Sequence, residues 1–381
     1  MEYGLVVWYQ PIRGEERRRG SVGVARQLVC VQRQAVKLIT GAFKTAATDV
    51  MEYHAFVPPV RMRLNRTVRN IALKLGALPK SHPLNPHIRW CASHYVRRHR
   101  SPLHEIFNAF PDAYDVETID PTPTRLAWTP RCTWAIARSR DEAVKEAGEA
   151  RDDVLAIFSD GSGYKKGVGA AAVAETKQGT QTRRFHLGPL ASHTVFEGEV
   201  MGTILALDII RNTPRIRSAT ILLDNQACIR ALAANRPQPG QYLIREFHCQ
   251  LEALLRAKPR LEGKIHLQWV PGHNGVEGNE LADQAAKEAA EGVVDVVFKG
   301  RAGWLNSPLP ASIAARRAEG TKRMWKEWRE EWSHSSRATK LAPIDKSPPP
   351  PPPPPPPASS SSIVNAAAPR PPSLPNSVPG T

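Results

Sequence analysis

Two hydrophobic rhythms divide the chain. From Val22 to Phe43 (VGVARQLVCVQRQAVKLITGAF) the apolar residues fall on one helical stripe, and they do so again from Arg61 to Leu78 (RMRLNRTVRNIALKLGAL), after the Pro58-Pro59 break. Between these stretches, Thr48 or Asp49 is placed to cap a short helix running through Phe56. Residues 1–150 therefore read as a mainly helical region. Cys91, His94 and His99 lie close together there, but no second Cys/His pair follows at finger spacing, and zinc is not expected.

From residue 151 the pattern changes to short β-forming runs separated by helical ones. Val154 to Ser159 is an apolar strand ended by the breaker Asp160-Gly161-Ser162-Gly163; Gly167 to Ala174 and Arg183 to Leu187 are the next two strands, a meander. Thr194 to Arg211 is a helix, Ser218 to Leu223 a fourth strand, and Gln226 to Ala234 and Gln241 to Ala257 two further helices. Lys264 to Val270 is a fifth strand and Gly278 to Ala290 a closing helix. The order β-β-β-α-β-α-α-β-α predicts an α/β layer whose antiparallel meander gains parallel strands through helical crossovers. Domain boundaries are expected at 1–150, 151–293, 294–345 and 346–381.

Beyond this block, Ala314 to Trp332 places Met324, Trp328 and Trp332 four apart with Trp325 beside them, an amphipathic helix expected to dock its Trp face on the main domain. The tail from Lys346 contains Pro348 to Pro357, then Ser359 to Ser362. It has no apolar face to bury and reads as a disordered polyproline II spacer, with an SH3 or WW-type partner as the other reading.

Composition adds three constraints. The five cysteines, at 30, 91, 132, 228 and 249, show no repeated spacing and read as reduced thiols in an intracellular compartment, nuclear or cytoplasmic. No apolar run approaches the ~18 residues of a membrane span, and the first twenty residues have too short an apolar stretch for a signal peptide. The net charge of +16 is concentrated in the flanks. Residues 1–150 carry 23 basic against 14 acidic side chains, 294–381 carry 12 against 6, and 151–293 carry 17 against 16. Flanks of this kind suit a phosphate backbone, although a solvated charged surface has the same composition.

The candidate chemistry is a set of carboxylates at element ends. Asp160 follows the first strand of the α/β block, Asp224 follows the fourth, Glu199 lies in the first long helix and Asp283 in the last. In an open α/β sheet the site lies off the carboxyl ends of the strands, where Asp160 and Asp224 stand side by side if their strands are neighbours. Clustered carboxylates repel, and a divalent cation removes that cost. Hard oxygen ligands without Cys or His favour Mg2+ or Mn2+, which commonly act in pairs about 4 Å apart on phosphodiesters. Each acid also has a plain reading: Asp160 and Asp224 as turn formers, Glu199 as a solvated helix residue, Asp283 as the i, i+4 partner of Lys287. His273, in the loop from Pro271 to Gly275, suits proton shuttling.

Taken together, IFSDGSG at Ile157, TVFEGEVMGTILAL at Thr194, ILLDNQACIRAL at Ile221 and WVPGHNGVEGNELADQAAKEA at Trp269 closely resemble the ribonuclease H type 1 family. The resemblance covers about residues 152–293. It implies a five-stranded mixed sheet of order 3-2-1-4-5 with helices on both faces, and hydrolysis of the RNA strand of RNA/DNA hybrids with Mg2+. It also implies metal binding by Asp160, Glu199, Asp224 and Asp283, with His273 as the mobile histidine. Gly161, Ser162, Gln226 and Asn279 match positions near the metals or the hybrid's minor groove, where the 2′-OH marks RNA; a helix-capping role is the other reading of Asn279. The basic protrusion that some members use to grip the hybrid is absent between Ala234 and Gln241, which leaves phosphate contacts to the flanks.

A second resemblance concerns those flanks. Arg33 to Leu84 is similar to the segment that follows the polymerase domain in non-LTR (LINE-type) retrotransposon polyproteins, and the Trp-rich helix is similar to their usual end. The polymerase motif Phe/Tyr-x-Asp-Asp does not occur; the one Asp-Asp, Asp152-Asp153, lacks the aromatic. The chain therefore resembles the C-terminal remnant of such an element. The leading expectation is a metal-dependent hybrid endonuclease. The rivals are an inactive nucleic-acid-binding product, a two-metal 3′–5′ exonuclease, and a scaffold recruited through its proline run.

Overall fold

The structure is a computed structural model that describes residues 4–13, 20–94, 96, 98, 100–120, 131–148, 154–176, 179–234, 236–272, 275–298 and 300–344. His99, His273 and the tail from Lys346 lie outside the described residues. Among those that are described, no helix is long and apolar enough to cross a membrane.

The N-terminal region is mainly helical, as the periodicity predicts: α1 (Leu5–Trp8), α2 (Val22–Thr40), α3 (Thr48–Ala55), α4 (Val60–Gly76), α5 (Asn85–Ser93) and α6 (Pro102–Ala109). Neither Thr48 nor Asp49 caps α3, whose N-cap is Ala47 without a side-chain bond. The Asp49 carboxylate instead accepts hydrogen bonds from Ser335 and Arg337, near the other end of the chain.

A short strand β1 (Thr133–Ala135) and helix α7 (Arg140–Gly148) precede the α/β block. The block itself comprises β2 (Val154–Tyr164), β3 (Gly167–Thr176), β4 (Gly179–Pro189), α8 (Val195–Asn212), β5 (Ser218–Leu223), α9 (Gln226–Ala234), α10 (Gln241–Ala257), β6 (Ile265–Trp269) and α11 (Glu277–Ala290). The sheet order is β1-β6-β5-β2-β3-β4. Strands β2, β3 and β4 form the antiparallel meander, while β5 and β6 join parallel to β2 through helical crossovers. Over the five expected strands this is the order 3-2-1-4-5. A sixth strand adds to the five expected: β1 pairs parallel with β6, and its three residues, all exposed, are too few to show alternation.

A second correction concerns β2. The tetrapeptide Asp160 to Gly163 does not break the strand; it continues to Tyr164, paired with β3 through Gly161 opposite Ala170. The turn falls at Lys165 and Lys166, both with positive φ. The parallel pairing with β5 nevertheless stops at Ser159 opposite Leu223, so Asp160 is the first residue beyond it.

One face of the sheet packs against α8 and α10, with Ile157, Ile204, Leu207, Ile221, Phe247 and Leu251 buried between them. The other face receives α11, where Ala282, Ala285 and Ala286 meet Ala171 and Val173. Small side chains on both surfaces let this helix lie close to the strands.

The C-terminal helices are α12 (Ile313–Ser333) and α13 (Ser336–Leu341). The Trp face of α12 docks on the N-terminal helices and not on the sheet domain, correcting the sequence-based expectation. Met324, Trp325 and Trp328 cluster with Met62 of α4, and Trp332 stacks on Tyr53 of α3 with ring centroids 4.6 Å apart. Arg61 pairs with Glu327 and Glu331, and Arg69 donates to the carbonyl of Arg316. Helix α12 and the N-terminal helices thus build one helical body.

Candidate active site

The close approach of β2 and α8 places the first two acids. A Cβ on Gly161 would overlap the backbone of Gly198 and Glu199, so only glycine permits this packing. The start of α8 is fixed by a capping box: the Thr194 amide donates to Glu197 Oε2 at 2.8 Å and the Glu197 amide to Thr194 Oγ1 at 3.3 Å. Tyr242 adds a hydroxyl bond to Glu197 Oε1 at 2.8 Å. Glu197 is thereby committed to the scaffold, while Glu199, two residues on, faces the end of β2.

Carboxylate oxygens of Asp160, Glu199 and Asp224 lie within 4.8 Å of one another. Asp160 is 6% exposed and Glu199 4%, with Asp224 half-buried. Burial pushes the Asp160 carboxyl up to about 7, with repulsion from Asp224 and Asp283 adding to it and the Gly161 amide bond and Lys287 opposing it. Glu199 is held well above the usual carboxylate range by burial and then by Asp160 and Asp224; hydrogen bonds from the Asn225 side chain and the Gly161 amide act against that. Glu199 Oε2 is buried without a hydrogen-bond partner. An orphaned oxygen inside a group of acids is a demand for positive charge. The donor set, all carboxylate oxygen with neither thiolate nor imidazole, fits a hard divalent ion.

Of the four acids grouped by sequence, the structure brings three together. Asp283 stands beside them on α11, its Oδ2 accepting from Lys287 Nζ at 2.5 Å, the plain i, i+4 pairing. Its charge still reaches Asp160. Ser162 is half-buried on the β2 hairpin, and Gln226 opens α9 with its Oε1 accepting from Arg230 at 2.8 Å. Asn279 does not cap α11, whose N-cap is Val276; its side chain is buried and its Oδ1 has no partner. His273 lies outside the described residues, but its neighbour Gly272 passes so near the site that a Cβ there would lie 2.8 Å from Asp224 Oδ2.

Three contributors escape the sequence reading. Asn225 bonds Glu199, Trp269 Nε1 donates to the Asp224 carbonyl at 3.0 Å, and buried Cys228 lies beneath the acids, its thiol pushed up by burial and by Glu199 and Asp224. Only Asn225, adjacent to Asp224, had a signal in the sequence. The role of Trp269 depends on its register opposite Leu223, which no local pattern encodes.

The sequence model of the RNase H family matches residues 152–291. The chain is 27% identical over 166 residues to the Pol polyprotein of equine infectious anemia virus (strain Wyoming), and 27% identical over 165 residues to that of isolate 1369. Each match takes in 42% of this chain and spans 13% of the length of the polyprotein. Among solved structures, RNase H1 from the halophilic archaeon Halobacterium salinarum NRC-1 is similar at 17% identity and a TM-score of 0.29, covering 37% of this chain and 99% of that one. The N-terminal RNase H domain of a Mycobacterium tuberculosis protein is similar at 20% identity and a TM-score of 0.28, covering 37% and 95%. By the family match and the order of its strands, the segment from residue 152 to residue 291 is an RNase H domain.

Proposed function

We propose that the protein is a divalent-metal-dependent endonuclease that hydrolyses the RNA strand of RNA/DNA hybrids. The observation that carries this reading is the three-acid group on an RNase H domain, with Glu199 Oε2 buried and unpartnered. Asp160, Glu199 and Asp224, with Asp283 alongside, are the residues that would hold Mg2+ or Mn2+. Bound there as a pair, such ions supply activation of the attacking water and stabilisation of the leaving 3′ oxygen.

The chain's own residues account for the rest. Burial of Asp160 and Glu199 keeps bulk water from competing for the carboxylate oxygens. Gly161, Ser162, Gln226 and Asn279 are assigned to the hybrid, and the free Oδ1 of Asn279 is an acceptor suited to a 2′-OH. His273 is assigned to proton movement near neutral pH. Similarity to the two Pol polyproteins and the likeness of Arg33 to Leu84 to a post-polymerase segment support an origin in a retroelement polyprotein.

Purified protein incubated with Mg2+ and a hybrid labelled on the RNA is expected to release internal RNA fragments, and Asp160→Asn to abolish them. Absence of cutting at every metal concentration contradicts the proposal and leaves a nucleic-acid-binding protein.

A further inference from the structure

We infer that the helical body formed by α12 and the N-terminal helices grips the hybrid's phosphate backbone through Lys322, Lys326 and Arg329 on α12. This rests on the hybrid reading above and adds where the substrate is held. The need for a grip follows from charge. Residues 151–293 are almost balanced, 17 basic against 16 acidic, whereas the flanks carry the excess. A polyanion gains little affinity from a nearly neutral surface.

The helical body is fixed against the RNase H domain at the first turn of α8. Glu117, fully buried, accepts hydrogen bonds from the Gly240 amide at 2.6 Å, the Ile313 amide at 2.9 Å and the Ser312 hydroxyl at 3.2 Å. The Ser312 amide donates to the Ser192 carbonyl at 2.6 Å, and Asp120 contacts Gln241 and Arg245. A Cβ on Gly240 would touch Phe196 and Glu197, in the first turn of α8, so this junction lies two residues from Glu199. Helix α12 starts at the junction.

From there α12 runs 21 residues. Its inward face is spent on packing, and the basic residues in that contact are spent too: Arg61 on Glu327 and Glu331, Arg69 on Asp112, Arg337 on Asp49. Away from the contact, Lys322, Lys326 and Arg329 are exposed at i, i+4 and i+7, on one stripe of the helix. Among the described residues neither Lys322 nor Arg329 has an ion-pair partner, and Lys326 has only a solvent-exposed one, Glu330 at 3.7 Å. The stripe begins roughly 14 Å and ends roughly 24 Å along the axis from Ile313, at 1.5 Å per residue. A duplex backbone offers about one phosphate per 3.4 Å of each strand over that span.

The test uses the full chain carrying Asp160→Asn, so that substrate survives, and a fluorescent RNA/DNA hybrid titrated at several salt concentrations. Adding Lys322→Ala, Lys326→Ala and Arg329→Ala should weaken binding by about tenfold or more at low salt and reduce the salt slope by about 3, one per lost phosphate contact. Tryptophan fluorescence checks that α12 stays docked. The same charge change at exposed sites elsewhere, Arg26→Ala, Lys74→Ala and Lys145→Ala, should leave both nearly unchanged. Equal losses in the two triple variants, or none in the first, overturn the inference while RNA cleavage by the wild type keeps the nuclease reading. A hybrid that fails to bind and is not cut by the wild type removes both.

Discussion

At Gly161 a strand and a helix meet with no room for a side chain, and that contact sets the distance between Asp160 and Glu199. Gly161→Ala should cost about 1–3 kcal/mol, the usual penalty for overpacking a tight contact. It should also weaken divalent-ion binding, because α8 can yield only by carrying Glu199 away. Denaturant melts and Mn2+ titration together check this; unchanged ion affinity would separate the contact from the site. A second residue gives a pH signature. His248 Nε2 donates to the Leu232 carbonyl at 3.0 Å, and burial pushes its pKa down from 6.5 to about 4. The unfolded chain takes up a proton near 6.5 and the folded chain only near 4. The stabilisation is therefore whole above pH 6.5 and is lost as pH falls to 4, by at most about 1.4 kcal/mol per pH unit. In urea melts the advantage of wild type over His248→Gln should shrink across that window; a constant gap contradicts it. Among the acids, Asp160, Glu199 and Asp224 were legible because each sits at a recognisable place in the element order. Asp283 was legible too, with its i, i+4 pairing to Lys287 among the readings, but helical spacing alone could not decide between that pairing and a place in the acid group.

Elements of the α/β block could be read because alternation and helical periodicity mark them directly, and the topology rules then leave few ways to join them. Where the reading failed, the missing information was non-local. β2 runs through a Gly-rich tetrapeptide because β3 supplies pairing partners there. β1 exists because β6 offers a free edge. The Trp-rich pattern of α12 announces a buried face without saying what covers it, and the cover is Met62 and Tyr53, more than 250 residues earlier. Trp328→Ala, at a position 3% exposed, should cost about 3–5 kcal/mol. The loss should appear as proteolysis within α2 to α4 and α12, with β2 to α11 still protected. Cleavage inside the sheet domain at the same rate would mean that the two bodies do not unfold separately.

Taken as one assembly, the chain packs α12 on the N-terminal helices and ties them to the RNase H domain through Glu117, which accepts from the Gly240 and Ile313 amides. Under the function proposed above, bond cleavage belongs to the nearly neutral central segment and substrate holding to the basic flanks. The central claim is that Asp160, Glu199 and Asp224 act together on a hybrid. Its most direct test is a hybrid carrying different labels on its two strands, incubated with Mg2+ and either wild type or Glu199→Gln. The predicted result is internal cutting of the RNA with the DNA intact, lost in Glu199→Gln although the hybrid still binds. Equal cutting of both strands, or wild-type cutting by Glu199→Gln, would contradict it.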